Sequence, residues 1–323
     1  VSEAAPAPRP TRRSRHLRTA AWVLLCLGLV AVAIPLAKEV PAMVEAVRNG
    51  DPLWAAAAAV LAASGYFAAA LSLRACAPGP LPFLRTTRVQ LAASFTGTVT
   101  PASVGSLALN VRYLSKRGMS TALATGTVAL QSVVQATTHV VLLALLVALG
   151  AGHETTTKTP GWERWVLVAV LVLLVASAIA VLASTRLRAR LATVFRDDVL
   201  PAIRHLSTLL TNPRRLALAV AGAAGTTLSS ALTMWACLLA FGQPSRPVAA
   251  AFTTMVAGTL ASAAPTPGGV GAVEAALVAG LVSFGVPTAV AVPTVLFYRV
   301  VTTWVPVMLG SFQLRSLSRA GAV

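Results

Sequence analysis

Apolar runs of bilayer length recur along this chain, at Thr19–Ala37, Leu53–Leu73, Thr121–Leu149, Trp165–Ser184, Leu216–Phe241 and Ala289–Ser311. A hydrocarbon layer takes about 20 residues of helix to cross, and it holds no water to satisfy stray backbone groups. The runs therefore confine the chain to an all-α, polytopic membrane fold with about six full spans. Composition agrees, with 56% hydrophobic and only 11% charged residues. A formal net charge of +17 would point a soluble chain toward nucleic acid. Here most of the basic residues flank apolar spans and read as topology signals instead. Cys26, Cys76 and Cys237 lie in or beside apolar segments without C-x-x-C spacing. Neither a disulfide framework nor a metal site is expected, and no cofactor is implied.

Residues 1–18, rich in Pro, Ala and Arg, read as a disordered basic cytoplasmic tail. The first span has a basic flank and carries Arg12-Arg13 ahead of it, as a secretory or twin-arginine signal would, but its run is longer and more spans follow. A retained anchor is expected. Residues 19–314 then form a single transmembrane domain, with repeat halves at about 53–150 and 215–314, and residues 315–323 form a short cytoplasmic tail.

Two further apolar regions, Val89–Val111 and Pro247–Val286, contain helix breakers and echo each other. Thr100-Pro101-Ala102-Ser103-Val104-Gly105 in the first matches Thr266-Pro267-Gly268-Gly269-Val270-Gly271 in the second. The likeness continues through Gly118 and Gly285 into the Thr-started helices that follow. If the first region crossed the membrane once, the arginines from Arg186 to Arg215 would fall opposite Arg9–Arg18, against the positive-inside rule. If it turns back, the clusters at Arg9–Arg18, Arg74–Arg88, Arg112–Arg117, Arg186–Arg215 and Arg315–Arg319 all face the cytoplasm. Both termini are then cytoplasmic. The first broken segment opens to the cytoplasm and the second to the outside, which makes the two re-entrant hairpins an inverted repeat. Paired broken segments in inverted halves point to a transport site near mid-membrane. The plainer alternative is that the Thr-Pro and Gly-rich bends only let helices pack closely.

Deep in apolar sequence only Glu274 and Arg299 are charged, and each costs about 3 kcal/mol at a helix centre unless paired or hydrated. Glu274 follows the Pro-Gly-Gly turn at the start of a half-helix, where a carboxylate is favoured. Arg299 has a forked guanidinium suited to phosphate. Backbone N–H groups of Gly268, Gly269 and Gly271 would contact an anionic headgroup, with Glu274 holding Arg299 or a cationic headgroup. A salt bridge that merely fixes helix packing is the alternative. Thr127, Gln131, Gln135 and His139 line one helical face, as a hydrated path or as hydrogen bonds between helices; for His139 the second reading is preferred. From Arg186 to Arg215, apolar residues interleave with arginines as in a helix lying on the inner leaflet, or packed on the protein's own base.

The segment Pro267-Gly268-Gly269-Val270-Gly271-Ala272-Val273-Glu274, with Gly285-Val286, Tyr298-Arg299 and Pro306-x-x-x-Gly310, resembles the signature of the lysylphosphatidylglycerol synthase transmembrane region family. That family includes flippase-like membrane proteins and the lipid-flipping half of aminoacyl-phosphatidylglycerol synthases. The resemblance covers roughly Arg74–Leu314. Pro101-x-x-x-Gly105 through Arg112 and Gly118 is similar to the family's upstream motif, and it makes Arg112 a further site candidate. Where family members often carry an acidic–basic pair, this chain has Gln131-Ser132.

The resemblance implies movement of a lipid between leaflets of the cell membrane, with an aminoacylated or anionic phospholipid or a polyprenyl-linked glycolipid as substrate. Pro267, Gly268, Gly269, Gly271, Glu274, Arg299, Arg112, Gln131 and Gln135 are the candidate substrate residues. A non-catalytic membrane subunit that presents a lipid to a partner enzyme is the second reading. An enzyme is the weakest, since the chain offers one membrane carboxylate and no nucleotide loop, nucleophile motif or zinc spacing. The chain ends shortly after the last span, so a separate lipid-synthesising enzyme is the expected partner, and no nucleic acid is.

Overall fold

The computed structural model describes residues 50–100, 103–149, 212–263, 269 and 271–323, all of them helix, turn or connecting segment. The expected spans Thr19–Ala37 and Trp165–Ser184 and almost all of the Arg186–Arg215 segment lie outside these residues. Four described helical stretches are long and apolar enough to cross a membrane: Pro52–Cys76, Thr121–Ala148, Pro213–Ala240 and Thr288–Arg319. They match the four remaining expected crossings within a few residues at most ends; the last runs on past Ser311.

Helix α1 (Pro52–Cys76) begins where Asp51 accepts the Leu53 N–H at 2.8 Å with Pro52 in the first turn, a strong start signal. After a short connection come α2 (Phe83–Val99) and α3 (Val104–Ser115). They lie antiparallel, tied by Gln90 Nε2 to Asn110 Oδ1 at 3.0 Å and by the Thr86 and Tyr113 hydroxyls at 3.1 Å. Helix α4 (Thr121–Ala148) is capped by Ser120 and α5 (Pro213–Ala240) by Asn212. A second antiparallel pair follows, α6 (Pro247–Ala263) and α7 (Ala272–Ser283). Its members meet through the Phe252 and Phe284 rings, and Arg246 donates to the Phe284 carbonyl. Helix α8 (Thr288–Arg299), a π-helical turn (Val300–Trp304) and α9 (Val305–Arg319) form one stretch. Pro306 has no N–H and its ring crowds the turn before it, a local reason for the ladder to widen there.

Small residues hold the bundle together. Helices α1 and α5 run antiparallel along a seam where a Cβ at Gly222 would fall 2.5 Å from Ser72 N, and one at Gly225 2.9 Å from Ala68 Cβ. Ser229 donates across this seam to the Leu61 carbonyl at 2.7 Å. Close backbone approach of this kind substitutes for the hydrophobic drive that lipid cannot supply. Gly310 does the same for α9, which touches the Leu91 carbonyl of α2 there. Outward, Leu53, Val60, Leu84, Leu149, Met308 and Phe312 are each at least 60% exposed, an apolar surface suited to lipid.

The ends of the bundle differ in charge. At one end Leu73, Ala77, Leu81, Tyr113, Leu114, Leu317 and Val323 share a buried cluster. Arg74 stacks over Phe83 at 5.4 Å, and Arg215 donates to the Ala77 and Pro78 carbonyls. The basic groups near residues 74–88, 112–117, 215 and 315–319 are thereby gathered at that end. At the other end the Asp51 N–H donates to the Ala240 carbonyl at 3.0 Å, and Trp54 meets Trp235 edge-on. The α2–α3 pair starts from the basic end and the α6–α7 pair from the other.

Candidate functional site

The turns of both helix pairs reach one cavity. Its volume is about 690 Å³, and its walls come from α1, α5, both helix pairs and the stretch from Arg299 to Val307. Ser103 lines it from the first break and Gly269 from the second. These residues hold the same place in the two Thr-Pro-x-x-Val-Gly strings. Both are left-handed, with φ of 55° and 66°. Such a backbone turns the chain back sharply and is easy for Gly, while Ser there carries about 1 kcal/mol of strain. In the first copy the Thr100 hydroxyl secures the turn: it donates to the Thr96 carbonyl at 2.7 Å and accepts the Gly105 N–H at 2.8 Å. Gly105 also sits against the Thr96 carbonyl, with no room for a Cβ.

In the second copy the turn is secured by charge. Gly271 has φ 86°, and its N–H donates to Glu274 Oε2 at 2.7 Å in the first turn of α7. The other carboxylate oxygen accepts from Arg299 Nε at 2.6 Å. The Arg299 side chain is 9% exposed and that of Glu274 20%. The guanidinium lies at the end of α8, where a cation suits the helix terminus, and it is the one charged group among the described residues lining the cavity. The two residues expected to pair in sequence do pair. Of the turn residues, Gly269 lines the cavity, whereas the Gly271 N–H is taken by Glu274. Pro267 and Gly268 lie outside the described residues.

The remaining candidates stand elsewhere. Arg112 is exposed on α3 and is not among the residues lining the cavity. Gln131 donates to the Ala69 carbonyl at 3.4 Å, and Gln135 to the Ala223 carbonyl at 3.2 Å and Thr226 Oγ1 at 2.6 Å. His139 lies between Thr227 and the Met255 carbonyl, at 3.4 and 3.1 Å. This polar face of α4 braces α1, α5 and α6 rather than lining the cavity, the interhelical alternative weighed for it from sequence. It touches the cavity indirectly, through Thr226.

Residues not singled out from sequence make up most of the polar wall: Ser94, Thr98, Ser106 and Asn110 on the first pair, Thr226, Ser229, Ser230 and Thr233 on α5, and Thr302 and Thr303 on the π turn. A signal was present in α5, where these four recur at steps of three, one and three along one helical face. Thr302-Thr303 lacked one, because a widened turn shifts the face that the ordinary helical period assigns.

Arranged this way, the site can hold a small polar group by one buried cation and many hydroxyls, between two helix pairs that enter from opposite ends. Its size lies in the range of small-molecule sites. Among the described residues no group of three or more metal-ligating side chains is assembled. The family model described as the lysylphosphatidylglycerol synthase TM region matches residues 19–310 of the chain. No curated protein matches it.

Proposed function

The chain belongs to the lysylphosphatidylglycerol synthase TM region family, a lipid-handling group of membrane proteins, and on that footing we propose that it is a flippase-like transporter moving a lipid headgroup across the bilayer interior. The observation that carries this reading is the cavity met by both broken helix pairs, with Ser103 and Gly269 at matching left-handed positions and Arg299 in its wall. A headgroup must be shielded from hydrocarbon while it crosses, because an unpaired phosphate there costs many kcal/mol. A polar cavity inside an apolar bundle provides that shield.

The architecture supports alternating access. Helices α1 and α5, which open the two halves, are antiparallel, and the helix pairs that follow them start from opposite ends. That order supports an inverted repeat with re-entrant hairpins, in which one half rocks against the other about a central site. With the basic end cytoplasmic, as the positive-inside rule requires, the first hairpin enters from the cytoplasm and the second from outside. Both termini are then cytoplasmic in the cell membrane. The seam of Gly222, Gly225, Gly65 and Ser229 between α1 and α5 is the natural axis of such motion, since small side chains slide with little steric cost.

Chemically, phosphate competes with Glu274 for Arg299. The carboxylate holds the guanidinium in place and compensates it when the cavity is empty; an arriving phosphate takes over that role, leaving Glu274 its bond to the Gly271 N–H. No covalent step is needed, and the chain acts as a carrier rather than an enzyme. Purified protein in proteoliposomes is expected to speed transbilayer movement of a fluorescent anionic phospholipid, read as the fraction bleached by external dithionite, and Arg299→Gln is expected to abolish the gain. No acceleration by the wild-type chain for any anionic phospholipid or polyprenyl-phosphate glycolipid would overturn the transporter reading in favour of a lipid-presenting subunit.

A further inference from the structure

Most of the Ser and Thr hydroxyls lining the cavity donate to a backbone carbonyl. Ser94 donates to the Leu91 carbonyl at 2.7 Å, Thr98 to Ser94 at 2.8 Å, Ser106 to Ser103 at 2.8 Å, Thr233 to Ser229 at 2.7 Å and Thr302 to Tyr298 at 2.7 Å. A hydroxyl has one proton and two lone pairs. Once the proton is spent on the helix's own backbone, what remains is acceptor capacity. Many of the wall's small polar groups therefore accept, and they bind best to a ligand that donates. Among the described residues lining the cavity there is no carboxylate, and the one charged group is the guanidinium of Arg299.

From this we infer that the site takes a polyol phosphate headgroup, an anionic phosphodiester carrying neutral O–H donors such as glycerol or a sugar-like ring, and discriminates against an aminoacylated one. This rests on the transporter reading for the lipid's movement, but not for its binding. The phosphate meets Arg299, and the polyol hydroxyls donate to the lone pairs of the Ser and Thr wall. An ammonium would also find acceptors there. It would enter a low-dielectric cavity whose described lining holds a guanidinium and no carboxylate; Glu274 is outside that lining and keeps its bond to the Gly271 N–H when the phosphate takes Arg299. Like charges disfavour it, and neutral lone pairs do not replace a counter-ion.

The test compares thermal stabilisation of the detergent-solubilised full chain by three lipids of matched acyl chains: phosphatidylinositol, phosphatidylglycerol and lysyl-phosphatidylglycerol. The first two are expected to stabilise at concentrations about 10-fold or more below the third, the scale of one unfavourable buried charge contact. Ser94→Ala and Thr98→Val are each expected to weaken phosphatidylinositol about 5-fold, the value of one lost neutral hydrogen bond, while leaving phosphatidic acid, which has the phosphate and no polyol, unchanged. Equal or stronger stabilisation by lysyl-phosphatidylglycerol overturns the inference, as does equal weakening of phosphatidic acid in both variants. Soluble glycerol 1-phosphate serves as a further arm; stabilisation matching that of the lipids would show a free phosphate ligand and overturn the lipid assignment. The dithionite assay on the same lipids separates the two readings, because binding without movement removes the transporter and leaves the headgroup class standing.

Discussion

Replacing each partner of the Glu274–Arg299 pair in turn separates a substrate-exchanging pair from a packing device. The two substitutions are not equivalent. Arg299→Gln leaves a carboxylate 20% exposed with one partner, the Gly271 N–H at 2.7 Å. Glu274→Gln keeps an amide oxygen able to accept that N–H or the Arg299 Nε, and leaves a guanidinium 9% exposed without its counter-charge. Removing one partner of a buried pair costs about 3–5 kcal/mol. The cavity beside Arg299 has room for water and the neutral Gln retains a hydrogen bond, so the lower end, about 3 kcal/mol, is expected for Glu274→Gln. For Arg299→Gln the expected loss is about 1–2 kcal/mol, because the more exposed carboxylate keeps its helix-terminal site. Anionic lipid then acts oppositely on the two. In Glu274→Gln a phosphate no longer competes with a carboxylate for the guanidinium, so thermal stabilisation by phosphatidylglycerol should exceed that of the wild type, while transport slows because release is harder. In Arg299→Gln the lipid-dependent gain should vanish. The assay is unfolding temperature in detergent against lipid concentration. Equal lipid-dependent shifts in both variants and the wild type would refute the exchange argument and leave the pair a packing device.

At Gly222 a side chain must displace the Ser72 and Ala68 backbone, 2.5 and 2.7 Å from its Cβ; Gly222→Val is expected to cost 3 kcal/mol or more, about the upper end of overpacking penalties, and to lower monodisperse yield. Gly258→Ala, whose Cβ would meet only His139 Cε1 at 3.7 Å, should leave the unfolding temperature within a degree or two. Ser103→Gly removes the cost of the left-handed backbone and should stabilise by about 1 kcal/mol, whereas Ser103→Val should destabilise by more than that, both read by thermal denaturation. Single cysteines at Gly118 and Gln243, with Cys26 replaced, should label with a membrane-impermeant thiol reagent from the cytoplasmic and external faces respectively. Cys76 and Cys237 are buried and give little background. Labelling of both from one side would refute the inverted topology.

The membrane class, the four described long spans and both helix breaks were legible because each rests on local chemistry. Run length meets bilayer thickness, and Pro and Gly interrupt helices wherever they fall. Gly310 was visible as a motif residue, and its reason, contact with the Leu91 carbonyl, was not. Glu274 and Arg299 stood out because charge in an apolar run needs a partner, and the structure pairs them with each other. The polar face of α4 was equally visible, but sequence period fixes only that Gln131, Gln135 and His139 share a face. Which neighbour that face meets depends on packing, and it meets α1, α5 and α6.

The sequence by itself determined that this chain lives in a bilayer as helices, that two of its apolar segments break at matching strings, and that two charges set deep in apolar sequence each need a partner. The tertiary structure alone decided that Ser103 and Gly269, far apart along the chain, face the same cavity, and that Arg299 and Ser and Thr residues of several helices join them in its wall. The reason is the range of the forces. Helix formation, chain breaking and the cost of a lone charge act within a few residues, whereas a cavity belongs to no segment and exists only where the seam of small residues lets α1 and α5 approach and residues of both helix pairs reach the same space.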